Sequence, residues 1–484
     1  MSMTKASRGN DARLGARVRM LRRQHDLSQV DLAGKLGISP SYLNLIESNK
    51  RPLTASLLLD LARHFGVEVG AFATDDDARL VADLTEAFAD PLFVDRDLTT
   101  VDVREVAAAS PQAARAILSL YKAYQSARAT ADNLSSKITA GEEGAVDRSH
   151  LPNEEVSDLV QQRMNHFAEL EDGAEELWAR ARLGMDEIYG GLVRYLEKQH
   201  GIKVQIARWG SEPNTLRRFD PERKVLYLSE LLPTRSRTFQ VAHQTAFLVQ
   251  RPAIERIAKD PLLTTDESRA LARVALANYF AGATVMPYAS FHKAAREERY
   301  DIDVIGRRFR VGFEQVCHRL TTLRRPGAEG IPFHMIRIDV AGNISKRFSG
   351  SGIRFARFSG ACPRWNIFSA FLTPGMIRIQ LSRMPDGVAY FCLARTIQKD
   401  SGGYHAQQPV QAIGLGCVME HARELVYSDG IDLSNPSAFV PVGVTCRVCD
   451  RVDCDQRVLP SLRHPLHVDE NVRKLSLYAP RVTA

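Results

Sequence analysis

Residues Leu27–Pro52 read LSQVDLAGKLGISPSYLNLIESNKRP, and their caps and spacing predict two short helices joined by a tight turn. Ser28 suits an N-cap, and its helix would carry Val30, Ala33 and Leu36 on one apolar face. Gly37 closes it, being the residue type that enters left-handed backbone without steric cost. Ser39 caps the second helix, with Pro40 at its first position, where a missing N–H costs nothing, and with Leu43 and Ile46 facing inward. The face left over, Ser41, Tyr42, Asn44 and Leu45, can hydrogen-bond to or pack on base edges and sugars. Asn49, Lys50 and Arg51 form a basic exit suited to phosphate oxygens. Leu57, Leu58, Leu61, Ala62 and Phe65 would complete a small core that Arg17, Leu21 and Leu27 begin. An ordinary helical hairpin with a solvated polar face has the same caps.

The Arg-rich segment before this stretch, Gln29 at the start of its first helix, the glycine turn and the NKRP exit together resemble the phage-repressor and Cro type of helix-turn-helix, often called the Xre type. The resemblance implies a five-helix domain over residues 10–72 with double-stranded DNA as its partner. It also implies contacts from Arg17, Gln29, Ser39, Ser41, Tyr42, Asn44, Asn49, Lys50 and Arg51.

At 484 residues the chain is too long for one core. Its 44% hydrophobic and 25% charged content is that of a globular protein. No run of about twenty apolar residues occurs and the N-terminus lacks an apolar h-region, so a cytoplasmic location without membrane attachment is expected. The net charge of +7 is concentrated at the reader, because residues 1–52 hold ten Lys or Arg against four Asp or Glu. Counterion release would favour DNA there.

After the acidic run at Asp75–Asp77, helical spacing recurs near Leu80–Phe88 and Pro111–Leu134, the latter through Ala114, Ile117, Leu118, Tyr121 and Tyr124. This connector, residues 73–152, ends in the linker-like GEEGAVDRSHLP and offers a core or dimer-facing stripe. Residues 153–328 begin with two long helices, about Asn153–Leu170 and Ala174–His200. IKVQIARW and RRFDPERKVLYLS then predict a small antiparallel sheet about an Asp220-Pro221 turn.

The helix FQVAHQTAFLVQ at Phe239–Gln250 follows. A zinc-peptidase helix would read H-E-x-x-H, with two imidazoles for the metal and a Glu as base. Here the string is His243-Gln244-Thr245-Ala246-Phe247, and neither Gln nor Phe can take those roles. With ANYFAGATVMP at Ala277–Pro287, the surroundings resemble the peptidase-like domain of ImmA and IrrE proteins. The resemblance places a metal-site Glu at the position of Val274, so the region is a degenerate zinc-peptidase-like α+β domain without its chemistry.

A vacated cleft can take a small molecule instead. The candidates are His243, Gln244, Phe280, Met286, Tyr288 and Phe291, with cations Lys293, Arg296, Arg307, Arg308 and Arg310 for phosphates. Core packing and a solvated basic face account for the same residues equally well.

From residue 329 to 484, short alternating segments HMIRIDV, ISKRFS, RFARFS, MIRIQLS and VAYFCLAR predict a C-terminal α+β module with an amphipathic helix near Val418–Val426. Near its end, Cys446, Cys449 and Cys454 stand in C-x2-C-x4-C spacing. Two thiolates two residues apart can hold one metal or cluster, and a third can close the knuckle. Arg447, Arg451 and Arg457 would lower the thiol pKa values. An iron–sulfur cluster, zinc and redox thiols all fit, and a fourth ligand would be Cys417, Cys392, His464, a bound molecule or solvent.

Reader, disabled peptidase-like domain and FVPVGVTCRVCDRVDCDQR, in that order from about Arg13 to Pro460, resemble the short-chain fatty-acyl transcriptional regulators of the PrpR/RamB type, nearest the PrpR branch. The resemblance implies a homodimeric, mainly α multidomain regulator of propionate/methylcitrate, glyoxylate or acetate metabolism that is not an enzyme. It implies an acyl-CoA or CoA effector, and an iron–sulfur cluster, 4Fe–4S favoured, on Cys446, Cys449 and Cys454. The alternative classes are a metallopeptidase-like regulator and an antitoxin that binds DNA and a protein partner.

Overall fold

The computed structural model describes residues 15, 18–19, 21–22, 25, 27–48, 51, 53–65, 75–90, 92–93, 98–140, 152–208, 215–356, 361–398, 405, 408–461 and a few positions between 468 and 478. The chain divides into two compact units, residues 1–125 and 126–484.

In the first unit α1 (Gln29–Lys35) begins at a Ser28 capping box, with Asp31 returning the bond to the Ser28 N–H. Gly37 takes φ +65°, as a tight reversal into α2 (Pro40–Glu47) requires. Ser39 caps α2 by accepting from the Tyr42 N–H, and α3 (Ala55–Phe65) closes the core of Leu21, Leu32, Ala33, Leu43, Ile46, Leu61, Ala62 and Phe65. Val30 departs from expectation. It is 65% exposed, because the face of α1 that meets α2 is Leu32–Ala33–Leu36. Of the outer helices of the expected five, only positions 15, 18–19 and 21–22 of the first are described, and Arg17, Asn49 and Lys50 lie outside the described residues.

Three more helices follow: α4 (Asp75–Ala87), α5 (Thr100–Ala109) and α6 (Pro111–Ala140). On α6, Ala114, Leu118 and Tyr121 are buried, and the Tyr121 hydroxyl donates to Asp90 at 2.9 Å.

The second unit opens with three helices where two long ones were expected: α7 (Pro152–Gln162), α8 (Ala168–Ala181) and α9 (Ile188–His200). Met164 and Asn165 adopt left-handed backbone between the first two, and Arg182 does so at the end of α8. No glycine marks either reversal between residues 163 and 182 except Gly173, which stays helical. Strands β1 (Lys203–Ala207), β2 (Arg217–Asp220) and β3 (Val225–Ser229) form a sheet of order β1-β3-β2. The β2–β3 pair is antiparallel as the turn demands, but β1 runs parallel to β3, so the sheet is mixed rather than antiparallel. Behind it lie α10 (Thr234–Val249), α11 (Arg251–Ile257) and α12 (Asp266–Val285), then α13 (Tyr288–Glu297), α14 (Ile302–Arg308) and α15 (Phe313–Leu320).

A six-stranded sheet completes the unit: β4 (His334–Asp339), β5 (Ile344–Ser349), β6 (Arg378–Arg383), β7 (Ala389–Gln398), β8 (Val410–Val418) and β9 (Phe439–Pro441), in order β5-β4-β8-β7-β6-β9, with the short α16 (Asn366–Ser369) on one face. All pairs are antiparallel except β6 with β9. Residues 419–428 form short 3-10 turns, not the expected amphipathic helix. Because strand side chains alternate, Phe391, Leu393, Ile413 and Leu415 join one core with Leu170, Phe280 and Phe291. Tyr390, Ala394 and Ala412 face a smaller cluster with Cys362, Trp365 and Val442.

Candidate functional site

At the reader, an internal carboxylate organises the polar residues. Glu47 is 1% exposed, and accepts from Arg22 Nε at 2.6 Å, Arg22 Nη2 at 3.0 Å and Gln29 Nε2 at 2.8 Å. Burial would raise its carboxyl, but the Arg22 and Gln29 bonds outweigh that and hold it below the usual carboxylate range. Half-buried Gln29 is thus held to Glu47, with a longer 3.4 Å contact to Asn44 Oδ1, and Ser39 Oγ is engaged in its cap. Ser41, Asn44, Leu45 and Arg51 are exposed beside half-buried Tyr42, so this part of the expected DNA face stands together at the surface. Glu47 itself gives no sequence signal beyond being the one acid on an otherwise uncharged helix.

In the second unit, α10 places His243 with 3% exposure. Its Nδ1 meets the Arg217 guanidinium from β2, and the ring also bonds the Val274 carbonyl on α12. A guanidinium only donates, so Nδ1 carries the lone pair and the imidazole is neutral. Burial and the Arg217 charge push its pKa down to about 3. Phe247 packs edge-on at 5.2 Å, and Gln244 is buried. Both ring nitrogens are thus engaged within the chain, one by an arginine and one by a backbone carbonyl.

The other effector candidates are not brought into one cleft. Phe280, Met286, Tyr288 and Phe291 are each no more than 2% exposed and belong to the main core. Lys293, Arg307, Arg308 and Arg310 lie at the surface, Arg308 pairing with Glu297 and Glu298 and Arg310 with Asp186. Those four therefore serve as packing residues of the core in this structure.

Beside them lies a network that sequence reasoning missed. Arg319 on α15, 2% exposed, donates to Glu171 on α8 at 2.5 and 2.9 Å, while Tyr279 on α12 donates to Glu171 at 2.6 Å. Further Arg319 bonds reach the Met286 carbonyl at 3.0 Å and Thr322 Oγ1 at 2.9 Å. Only contacts made in three dimensions reveal that this one pair of charges among many is internal.

At the cysteines, β9 leads out of the sheet into a loop stitched to it: Val442 N–H bonds the Arg383 carbonyl, and Cys362 N–H bonds the Val444 carbonyl, both at 3.0 Å. That second bond brings a fourth thiol. Cys362, Cys446, Cys449 and Cys454 line one pocket with Arg364, Gly443 and Arg457. Of the other expected fourth ligands, Cys392 is half-buried within β7, Cys417 is buried within β8, and His464 lies outside the described residues. Arg451 and Arg457 work mainly as loop staples, donating to the carbonyls of Val442, Arg383, Cys446, Cys449 and Arg451. Burial raises the Cys449 thiol more than these two arginines lower it, so the expected net depression does not occur there.

The loop fits a thiol-bound group. A Cβ on Gly443 would lie 2.9 Å from Cys449 Sγ, so only glycine leaves that sulfur its place. Thr445 Oγ1 and Arg457 Nε are buried without partners, leaving polar groups that a bound anionic centre would engage. Among the described residues no three His, Cys, Asp or Glu side chains are gathered around a single metal ion. One zinc would draw four sulfurs to about 3.8 Å from each other, given Zn–S bonds near 2.3 Å. A polynuclear cluster is held by the same four thiolates spread wider.

Three family models match in series: a helix-turn-helix at residues 18–72, the IrrE N-terminal-like domain at 197–321, and the short-chain fatty acyl coenzyme A regulator C-terminal domain at 322–478. The chain is 40% identical over 476 residues to the HTH-type transcriptional regulator RamB of Mycobacterium tuberculosis, covering 96% of this chain and 98% of that one. This chain belongs to the short-chain fatty acyl coenzyme A regulator family. PrpR of the same organism is 41% identical, covering 94% of this chain and 93% of its own. The propionyl-CoA carboxylase regulator of Cereibacter sphaeroides is also 41% identical, covering 96% and 98%. A solved structure titled Mycobacterium tuberculosis transcriptional regulator matches with TM-score 0.65 and 42% identity, covering 68% of this chain and 99% of that one. As a family member with a helix-turn-helix, the chain is a DNA-binding transcriptional regulator, and its relatives are named as regulators, not enzymes. No helix among the described residues is long and apolar enough to cross a membrane.

Proposed function

We propose that this regulator controls short-chain fatty acid metabolism, propionate use foremost, by binding an acyl-CoA and reporting it to a promoter from the cytoplasm. The full-length correspondence to RamB, PrpR and the propionyl-CoA carboxylase regulator, with the reader's Ser41–Asn44–Arg51 face exposed, carries this reading. A homodimer would set two copies of α2 in successive major grooves, about 34 Å or a multiple of it apart. An effector that favours one arrangement of the readers by about 1–3 kcal/mol would change operator affinity roughly five- to 150-fold.

Cys362, Cys446, Cys449 and Cys454 would hold an iron–sulfur cluster, 4Fe–4S in type, which supplies a centre that gains or loses an electron or falls apart under oxidation. The chain's own contribution is to pin the loop through Arg451 and Arg457 and to keep Cys449 clear at Gly443. Titrating labelled promoter DNA with protein at fixed salt, with acetyl-, propionyl- or methylmalonyl-CoA, tests the reading. One acyl-CoA should shift the midpoint at least fivefold, and no shift with any of them would overturn the sensing claim.

A further inference from the structure

The four thiols stand among hydrogen-bond donors of their own chain. The backbone N–H groups of Arg364 and Gly443 donate to the Cys362 sulfur, and that of Arg451 donates to the Cys449 sulfur. A guanidinium nitrogen of half-buried Arg364 lies 4.0 Å from Cys454 Sγ and is shared with exposed Asp455, 3.7 Å away. Two further donors belong to side chains that line the same pocket, Thr445 and Arg457, which are 1% and 3% exposed. Among the described residues, Thr445 Oγ1 and Arg457 Nε are buried without a partner. The other two Arg457 nitrogens are committed to the carbonyls of Cys446, Cys449 and Arg451, which fixes the plane of the guanidinium and so the direction of its Nε–H. A buried donor left unmade is costly, and two of them beside four thiols require an acceptor that the chain itself does not supply.

We infer that Thr445 and Arg457, with Arg364 at the rim, set the reduction potential of the iron–sulfur cluster by donating to its sulfur atoms. The inference rests on the cluster reading and adds to it the residues that tune the group. A cluster on four thiolates is anionic, and an electron added to it deepens that charge. A donor aimed at sulfur therefore stabilises the reduced form more than the oxidised one and raises the potential. Thr445 and Arg457 are internal, so water neither competes for their bonds nor screens them. Arg364 reaches Cys454 from the surface side and divides its charge with Asp455, so its share is smaller and weakens with salt. A single zinc ion has no electron to accept, so a potential is the property that separates tuning by these donors from mere support of the loop.

Dye-mediated redox titration of the anaerobically purified full chain, with iron and sulfide counted in each sample, tests it. Thr445→Val keeps the shape of the side chain and removes the hydroxyl. It should hold as much iron and sulfide as the native chain, with a reduction equilibrium about tenfold less favourable, a fall of about 59 mV for one electron. Thr445→Ser restores the hydroxyl and should return the equilibrium to within about twofold of the native one. Arg364→Gln should lower it about threefold at low salt, and less at high salt. An unchanged or raised midpoint in Thr445→Val with its cluster intact refutes the inference and leaves the cluster reading standing. A native chain that carries no iron and sulfide overturns both. If Thr445→Val assembles no cluster, Arg364→Gln decides, and a native midpoint there refutes the inference.

Discussion

Replacing Glu47 by Gln removes one charge from the centre of the reader while keeping its shape. The carboxylate has no exposed surface and Arg22 is 11% exposed, so Arg22 would keep its charge in a nearly dry position without a counter-ion. Removing one partner of a buried pair costs about 3–5 kcal/mol. The slight exposure of Arg22 and the alternative acceptor at the Leu27 carbonyl, 2.8 Å away, bring the expected loss to about 2–4 kcal/mol. A domain of roughly 60 residues has only about 3–9 kcal/mol in total. Native-state hydrogen exchange on the full chain reads the effect directly: the slowest amides between Leu32 and Phe65 should exchange roughly 30- to 1,000-fold faster. Gln29→Ala, which leaves the ion pair intact, should accelerate them only about fivefold. The native carboxyl is held below its unfolded value, so its contribution is present above the unfolded pKa of about 4.3 and fades as pH falls through the native one. That acid-dependent part should be missing in Glu47→Gln. Exchange within threefold of the native chain at pH 7 would refute the claim that Glu47 holds the reader together.

Asn44→Ala should relax base preference at one operator position by about 1–3 kcal/mol, whereas Arg51→Ala should weaken all sequences alike and reduce the salt slope by about one, both measured by promoter titration across salt concentrations. Anaerobically purified Cys362→Ser should lose iron and sulfide as fully as Cys449→Ser, while Cys417→Ser retains both by elemental analysis. Glu171→Gln should destabilise the second unit by about 3–5 kcal/mol in thermal melts, and the double change Glu171→Met with Arg319→Met should recover most of it, because the uncompensated charge is then absent.

What was legible in the sequence was local chemistry. Ser28, Gly37, Ser39 and Pro40 each act on backbone within four residues, so the reader's turn could be read without its surroundings. The β2–β3 turn at Asp220-Pro221 was legible for the same reason, whereas the parallel placement of β1 was not, since no short turn dictates it. Strand β8 was hidden because QAIGLGCV carries two glycines, which weaken any strand signal. Their cause is remote: a Cβ on Gly416 would lie 2.6 Å from the His334 ring, and one on Gly414 would lie 3.0 Å from Ile336. Cys362 was hidden by distance along the chain. Its place beside Cys446 is set by one backbone bond to Val444, and no spacing rule reaches across the intervening strands. The effector candidates were ambiguous for a different reason, because aromatic type and helical spacing describe a core and a pocket wall equally well.

The six-stranded sheet joins two parts that the sequence treats as separate. Tyr390 and Phe391 are adjacent on β7, yet the first packs in the cluster that contains Cys362 and Val442, and the second packs in the core that contains Phe280 and Leu170. The cluster proposed on the four thiols would fix the loops on one face of that sheet, and the helices of the peptidase-like region rest on the other. Its binding free energy would then be added to the folding of the whole second unit. The reader has a core of its own, built from Leu32, Leu43, Ile46 and Leu61. Removing the proposed cluster from protein that carries it should accordingly speed hydrogen exchange at Leu393, Ile413 and Leu415, with the amides of α2 and α3 unchanged. Exchange confined to the cysteine loop would mean that the sheet does not transmit the change.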